Sequence, residues 1–359
     1  INGPVPVLLA DAAGPKVLGM RVRDRNERVV SRSANAVVAS SADESNRGVL
    51  FVPEHVVLEP SLFELLRELD PPLRLSTPEG AKLDWGAVSK QTSERRLVDG
   101  HFLDASNASS RKRAERLLLL RTEKSTDGWV SRTLNRPQSR FFSRWFLKAG
   151  LSPNAASAVS LAIGLGCGFA AAQPGGLWLA LTGFLFQFAS MFDGVDGEMA
   201  RVTLRDSKTG AAIDSLVDNV TYLATLVGFG VGWAREGITA AQGWMLVLVL
   251  AMVILTLLWV LIFVRSYGDD MSFVFFDRSL RRAAKDSDRA SLRAIDVFFR
   301  ATRRDMLALI LMFVSFVGSR FLIFCLVGVG VLVADYVLLF HRHDLIRAAG
   351  LLRTERQVG

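Results

Sequence analysis

Four aspartates carry the strongest chemical signal in this chain. Asp193 and Asp196 stand three residues apart, Asp214 and Asp218 four apart, and the stretch Arg201 to Lys208 between the pairs is basic. Both intervals bring side chains onto one face of a helix. A tight basic loop between two such helices turns the chain back, so the pairs face each other and gather four carboxylates. Like charges gathered near low-dielectric surroundings repel and are costly to desolvate; protonation, water access or a bound cation relieves them. An all-oxygen set with no His or Cys nearby favours a hard ion, Mg²⁺ or Mn²⁺. Such an ion keeps substrate phosphates in its shell, so the expected chemistry is phosphoryl transfer. Gly194, Gly197, Ala200 and Gly210 leave room for a bulky ligand, and they equally permit close helix packing. A lone Asp would be read as a solvated helix cap; four at this spacing beside apolar runs argue for a site.

The elements that must hold these acids are membrane helices. Half of the 359 residues are hydrophobic, but up to about Arg144 the charges are spread as in a soluble protein. From Leu151 to Phe340 come apolar runs of about twenty residues, the length that crosses a bilayer as helix. The expected spans are Asn154–Ala172, Leu177–Phe192, Ala211–Ala234, Trp244–Val264, Met306–Gly318 and Phe321–Phe340. Basic loops (Arg201 to Lys208, Arg278 to Arg304, and the tail with Arg342, Arg347, Arg353 and Arg356) alternate with nearly neutral ones. Positive loops stay inside, so both termini, the N-terminal part and the acidic site are expected on the cytoplasmic side.

The formal charge of +8 sits beside the apolar runs, which favours an anionic lipid surface and phosphate-bearing substrates over nucleic acid. Cys167 and Cys325 fall inside expected spans and read as inert core residues. Arg132, Arg136, Arg140, Phe141, Phe142, Arg144, Trp145, Phe146 and Lys148 alternate cationic and aromatic character. That pattern predicts a helix in the headgroup region, opened by Pro137, with an ordinary linker helix as the plainer account.

The pattern Asp-x2-Asp-Gly-x2-Ala-Arg-x8-Gly-x3-Asp-x3-Asp over Asp193 to Asp218 resembles the signature of the CDP-alcohol phosphotransferase family at all eight defined positions. Ser152-Pro153-Asn154 and Arg304-Asp305 are similar to further family elements, so the resemblance covers about Asp127 to Phe340. It implies attack of a hydroxyl acceptor on the β-phosphorus of a CDP-alcohol donor, with CMP leaving. It implies binding of divalent metal, as two ions, by Asp193, Asp196 and Asp214, with Asp218 at the second metal or acting as catalytic base. Gly197, Ala200, Arg201 and Gly210 would border the CDP moiety, with Arg201 on a phosphate. Homodimers are common in the family.

Other polar residues carry weaker signals. Arg265, Arg303 and Arg304 fit an acceptor phosphate pocket and fit positive-inside anchors equally well. Asp269 and Asp270 read as solvated loop acids, Asp335 has no assigned role, and His341 and His343 are poorly spaced for a metal on a helix.

The N-terminal part reads as mixed α/β, with strands at Val17–Val22, Ala36–Ala39 and Gly48–Val52 and helices at Ser61–Leu69 (Ser61 as N-cap) and Arg111–Leu120. Val98 to Asp104, then Ala114-Glu115, and the join Lys124 to Arg136 resemble fusions of an inositol 1-phosphate cytidylyltransferase with a CDP-alcohol phosphotransferase. The Gly-rich phosphate loop of such transferases has no counterpart here, since Asp11 to Lys16 is too sparse. The chain also opens at Ile1 without methionine or signal pattern, so residues are expected to precede it. Nucleotidyl transfer is therefore not expected, and Asp104 reads as a loop cap.

The expected fold is an all-α six-helix transmembrane bundle preceded by a partial or degenerate α/β nucleotidyltransferase-like cytoplasmic domain. Its boundaries are 1–120 for that domain, 121–150 for linker and interfacial helix, 151–345 for the bundle and 346–359 for a basic tail. The expected function is a membrane CDP-alcohol phosphotransferase, inositol-related through the join (CDP-inositol plus inositol phosphate). A phospholipid synthase using CDP-diacylglycerol with inositol phosphate or glycerol phosphate is the alternative. A cation-coupled transporter is the alternative of another class; transport sites sit near the midplane on interrupted helices, whereas these acids cluster at one boundary.

Overall fold

The computed structural model describes residues 4–10, 14–39, 49–69, 73–78, 81–85, 94–97, 101–124, 127–267, 279–280, 282–283 and 304–358. Two compact units emerge: one of Ile1–Ser125, Arg140–Pro153 and Val195–Asp206, the other of Thr126–Ser139, Asn154–Gly194 and Ser207–Gly359.

In the first unit, β1 (Val5–Leu9) buries alternate residues, the period-two signature of a half-covered strand. It runs parallel to β4 (Ala36–Val38) on one side and β5 (Leu50–Val52) on the other. Beyond β5 come β8 (Lys82–Trp85), β7 (Leu73–Ser76) and β9 (Glu94–Leu97), giving the order β4-β1-β5-β8-β7-β9. A separate antiparallel pair joins β6 (Val56–Leu58) to β10 (Phe102–Asp104). The core collects Val5, Val7, Leu50, Leu58, Leu62, Phe63, Trp85 and Phe102, all nearly excluded from solvent.

Three sequence expectations change here. Instead of one strand over Val17–Val22, β2 (Lys16–Val17) and β3 (Met20–Arg21) form a small hairpin, because Leu18 and Gly19 reverse the chain at φ 49° and 78°. A helix, α1 (Val22–Arg32), then follows. Its buried face, Val22, Arg25, Asn26, Val29 and Val30, has helical spacing, but two of the five are polar, which hid the hydrophobic period. Asn26 is satisfied in its buried position by acting as a strand neighbour to β6: its amide donates to Val56 O at 2.7 Å and its carbonyl accepts from Leu58 N at 2.9 Å. Finally, α2 is short (Ser61–Leu65) and passes into a 3₁₀ turn, Leu66–Glu68. Pro60 holds the N-cap position there, while Ser61 Oγ lies 3.0 Å from His101 Nδ1.

The helix α3 (Ala108–Leu120) starts earlier than Arg111 because the Asn107 side chain caps it, accepting from Ser110 N. Glu115, buried on its inner face, accepts from Leu18 N at 3.2 Å, Arg144 at 2.8 Å and Lys148 at 3.2 Å. Burial opposes ionisation of Glu115, yet the Leu18 amide and the two cations outweigh it and hold the carboxyl below the usual range.

A helix that begins at residues 129–130 passes through a π turn, Ser131–Asn135, into α4 (Arg136–Lys148). Pro137 therefore lies inside the helical run rather than opening it. The Arg136 N–H bonds Ser131 O in the wider register just before Pro137, whose missing N–H would break an α pattern. Leu134, Phe141 and Trp145 are exposed on one side, while Asn135, Arg136, Ser139 and Ser143 are buried on the other.

The remaining helices are α5 (Pro153–Ala171), α6 (Gly176–Val202), α7 (Lys208–Arg235), α8 (Ala240–Tyr267), α9 (Arg304–Val317), α10 (Arg320–Phe340) and α11 (Arg342–Val358). Among the described residues α5, α6 and α8 are long and apolar enough to cross a membrane, and α9 is a shorter apolar helix. The α5–α7 crossing is a backbone seam. A Cβ on Gly228 would collide with Gly168 O, and one on Gly232 with Ala171 O.

At that end of the second unit, Arg320 is 2 % exposed and donates to Glu236 at 3.0 Å, to Ala171 O at 2.7 Å and to Gln173 O. A guanidinium thus meets the orphan carbonyls that end α5. Thr256 on α8 donates to Asp335 on α10 at 2.6 Å, which satisfies an acid inside an apolar helix. Leu345, Ala348 and Ala349 of α11 pack with Val260 and Phe263 of α8.

Candidate active site

The acids stand on two helices joined by a tight reversal. Helix α6 does not stop at Phe192 but runs through the motif to Val202, which keeps Asp193 and Asp196 in one regular element. It closes with Leu204 N donating to Arg201 O at 3.2 Å and Arg205 N to Ala200 O at 2.8 Å, the paired bonds of a Schellman end. Ser207 then caps α7, its Oγ accepting from Gly210 N at 3.0 Å. Asp214 and Asp218 follow one helical turn apart.

Asp193, Asp214 and Asp218 are half-buried and bring one oxygen each within 4.8 Å of one another. Three carboxylates at that separation, with neither His nor Cys in the group, suit a small hard cation at about 2.0–2.6 Å from each oxygen. The structure therefore gathers three of the four acids. Asp196 is buried, its Oδ1 accepting from Gly197 N, and lies outside the group.

The small residues divide. Gly197 makes room for the chain's own Arg201, whose Nη1 would lie 3.3 Å from an added Cβ. Gly210 sits in the cap of α7, and Ala200 and Arg201 are half-buried on α6. Arg265 is exposed near the end of α8; Arg304 opens α9 with its side chain outside the described residues, as is the whole of Arg303. Asp269 and Asp270 also lie outside the described residues.

Asp104 does cap a turn, accepting from Ser106 N at 3.0 Å and Ser106 Oγ at 2.9 Å. Against the penalty of burial, these bonds and Ser110 hold its carboxyl low.

Several polar contacts escaped sequence reasoning. Glu198, within the motif, is fully buried and accepts from Ser143 Oγ at 2.6 Å. Asp127 and Arg136 form a two-pronged buried pair at 2.8 and 3.0 Å. Asp305 accepts from Ser131 N at 2.8 Å and lies where a Cβ on Gly128 would be, 2.7 Å away. The only sequence signal for these was the Asp127-Gly128 join and the Arg304-Asp305 dipeptide, which gave no partner.

Residues 151–334, about half of the chain, match the CDP-alcohol phosphatidyltransferase family. Among curated relatives, the "Bifunctional IPC transferase and DIPP synthase" of Thermococcus kodakarensis is 38% identical over 124 residues, 34% of this chain and 28% of that protein. The protein of the same name in Rubrobacter xylanophilus is 33% identical over 182 residues, 50% of this chain and 40% of the relative. That of Aquifex aeolicus is 31% identical over 174 residues, 47% and 38% of the two chains. The chain spans less than half the length of each of these relatives. With the whole aspartate motif inside the matched stretch, this chain belongs to the CDP-alcohol phosphatidyltransferase family.

Proposed function

We propose that this chain is a membrane enzyme that transfers a phospho-alcohol from a CDP-linked donor to a hydroxyl acceptor and releases CMP. The observation that carries the reading is the convergence of Asp193, Asp214 and Asp218 inside the family-matched stretch. Two divalent ions, Mg²⁺ or Mn²⁺, would be held by these three residues with Asp196. When bound, they would neutralise the phosphate charge that three carboxylates alone would repel. Asp218 takes the proton of the acceptor hydroxyl at a carboxylate oxygen. The acceptor oxygen forms its bond to the β-phosphorus as the bond from that phosphorus to the CMP oxygen breaks. Arg201 stands beside a donor phosphate; Gly197, Ala200 and Gly210 border the CDP moiety, and Arg265, Arg303 and Arg304 hold an acceptor phosphate.

The chain works as a six-span bundle over 151–345, a linker with an interfacial helix over 121–150, and a basic tail over 346–359, with both termini and the site cytoplasmic. The stripe Leu134, Phe141 and Trp145 supports the interfacial placement, each being exposed on a helix with basic flanks. Residues 1–120 form a degenerate nucleotidyltransferase-like domain, a reading supported by the parallel β4-β1-β5 core with α1 as crossover. A homodimer in the bilayer is the expected assembly. The alcohol is inositol-related, as the join and the relatives' shared name favour. CDP-diacylglycerol is the alternative donor.

The test is CMP release by purified protein with a panel of CDP-alcohols and acceptors, with and without Mg²⁺. Asp214→Asn should abolish release while the protein stays folded in membranes. Undiminished release by that variant would sink the mechanism.

A further inference from the structure

The reversal that joins the two halves of the aspartate motif is gripped by the N-terminal α/β layer. Helix α6 ends in a Schellman turn, where the position after the cap normally takes glycine because φ is positive. Here it is Leu204, at φ 53°. A bulky side chain is disfavoured in that backbone region, so something must hold it there. Leu204 packs, with Leu65, against the core built from β1, β5, β8 and α2.

The same side supplies three arginines. Arg25, Arg28 and Arg32 recur at helical spacing along α1 and so share one face. Arg25 Nε donates to Val202 O at 3.3 Å, and Arg28 Nη1 donates to Thr203 O at 2.9 Å. Arg32 donates to Asp206 O at 3.1 Å and pairs with the Asp206 carboxylate at 2.6 Å. Arg25 is itself fixed by Leu58 O and by Glu59 at 2.9 Å, and is 3 % exposed.

The carbonyls that end α6 thereby all have donors. Met199, Ala200 and Arg201 accept from Thr203 N, Arg205 N and Leu204 N, and Val202 and Thr203 accept from α1. A helix end of this kind normally finishes its hydrogen bonding in water or with its own following residues. This one finishes it on a neighbouring element that the phosphotransfer chemistry does not need.

We propose that α1 is a clamp on this reversal, and that Arg25, Arg28, Arg32 and Leu204 are positioning residues for phosphotransfer. The inference rests on the transferase reading above. It gives residues 1–120 a task that needs no nucleotide site: they fix the turn from which Asp196 and Arg201 lead back along α6 and Asp214 and Asp218 lead forward along α7. A loosened turn lets the two arms drift, and a misplacement of about 1 Å costs about a hundredfold in a positioned reaction.

The test uses the full chain in lipid nanodiscs. Leu204→Gly keeps the backbone conformation but removes the anchor; Arg28→Ala with Arg32→Ala removes two grips that lie on the partly exposed side of α1, so the fold survives them; Arg28→Lys restores a cationic donor. Three readouts apply: hydrogen exchange of the Thr203, Leu204 and Arg205 amides, Mn²⁺ binding by electron paramagnetic resonance, and CMP release. We expect faster exchange at those amides, Mn²⁺ binding weakened by about tenfold, and CMP release lowered by about ten- to a hundredfold, with Arg28→Lys recovering part of each. Variants that bind Mn²⁺ and release CMP like the parent overturn the clamp. If the parent releases no CMP from any donor, the transferase reading fails, and exchange and Mn²⁺ binding still decide whether α1 orders the turn.

Discussion

Replacing Arg320 by alanine tests whether the bundle is tied at the end opposite its acids. The side chain is 1 % exposed and serves three acceptors on two segments: Ala171 O and Gln173 O at the end of α5, and Glu236 just past α7. Each carbonyl loses a charge-assisted bond of about 1.5–3 kcal/mol, and neither gains another donor without rearrangement. Glu236 contributes about 1 kcal/mol or less, because its side chain is 34% exposed and water replaces the guanidinium. The expected loss is about 4 kcal/mol, within the range for breaking a buried ionic contact. Reversible unfolding of the full chain in mixed micelles, titrated with a denaturing detergent, measures it directly. Arg320→Lys should recover about a third, having one point charge in place of a planar fork. Gly232→Ala should approach the full loss, since its Cβ would stand 2.6 Å from Arg320 Nη1. A loss below about 1 kcal/mol for Arg320→Ala would refute the reasoning, because a buried carbonyl and a half-buried one cannot both be abandoned so cheaply.

Three further outcomes are expected. Gly228→Ala should lower unfolding stability in the same assay by about 2 kcal/mol or more, through overpacking of a backbone seam that has no side chain to move aside. Glu115 has a carboxyl held below its ordinary value of 4.5, so its stabilisation is complete above that pH and fades as pH falls through the folded-state value. Denaturant melts at successively lower pH should therefore show an acid-side slope that Glu115→Gln flattens, and an unchanged slope would exclude Glu115 as its source. Asp305→Ala should release Ser131 N and speed its amide exchange, while Asp305→Asn, which keeps a carbonyl acceptor, should stay close to the parent.

The gathering of acids was legible because chemistry and period coincide: carboxylates at helical intervals on both sides of a basic turn come together when the chain reverses. Asp193, Asp214 and Asp218 meet as a group, and spacing alone could not say which of the four acids would come closest. The apolar helices were legible by length; the expected second span ends at Phe192, where hydrophobicity stops, and the helix that holds it continues through the motif to Val202, where the hydrogen bonds stop. The N-terminal layer was far less readable. Helix α1 buries Arg25 and Asn26 in its inner face, and a hydrophobic period cannot register a polar side chain that is satisfied by a strand edge or a distant helix end. The contacts of Asp127 with Arg136 and of Asp305 with Ser131 depend on which segments meet in space, and local spacing holds no record of that.

The α5–α7 seam has a thermodynamic consequence for the acids on α7. Two helices meeting backbone to backbone at Gly168 and Gly228 cannot slide or splay by repacking side chains, so Asp214 and Asp218 are carried on a stiff support. A support that is already rigid loses little conformational freedom when a ligand binds. The ordering cost of the acid group therefore falls on α6, which carries Asp193 and lies outside the glycine seam.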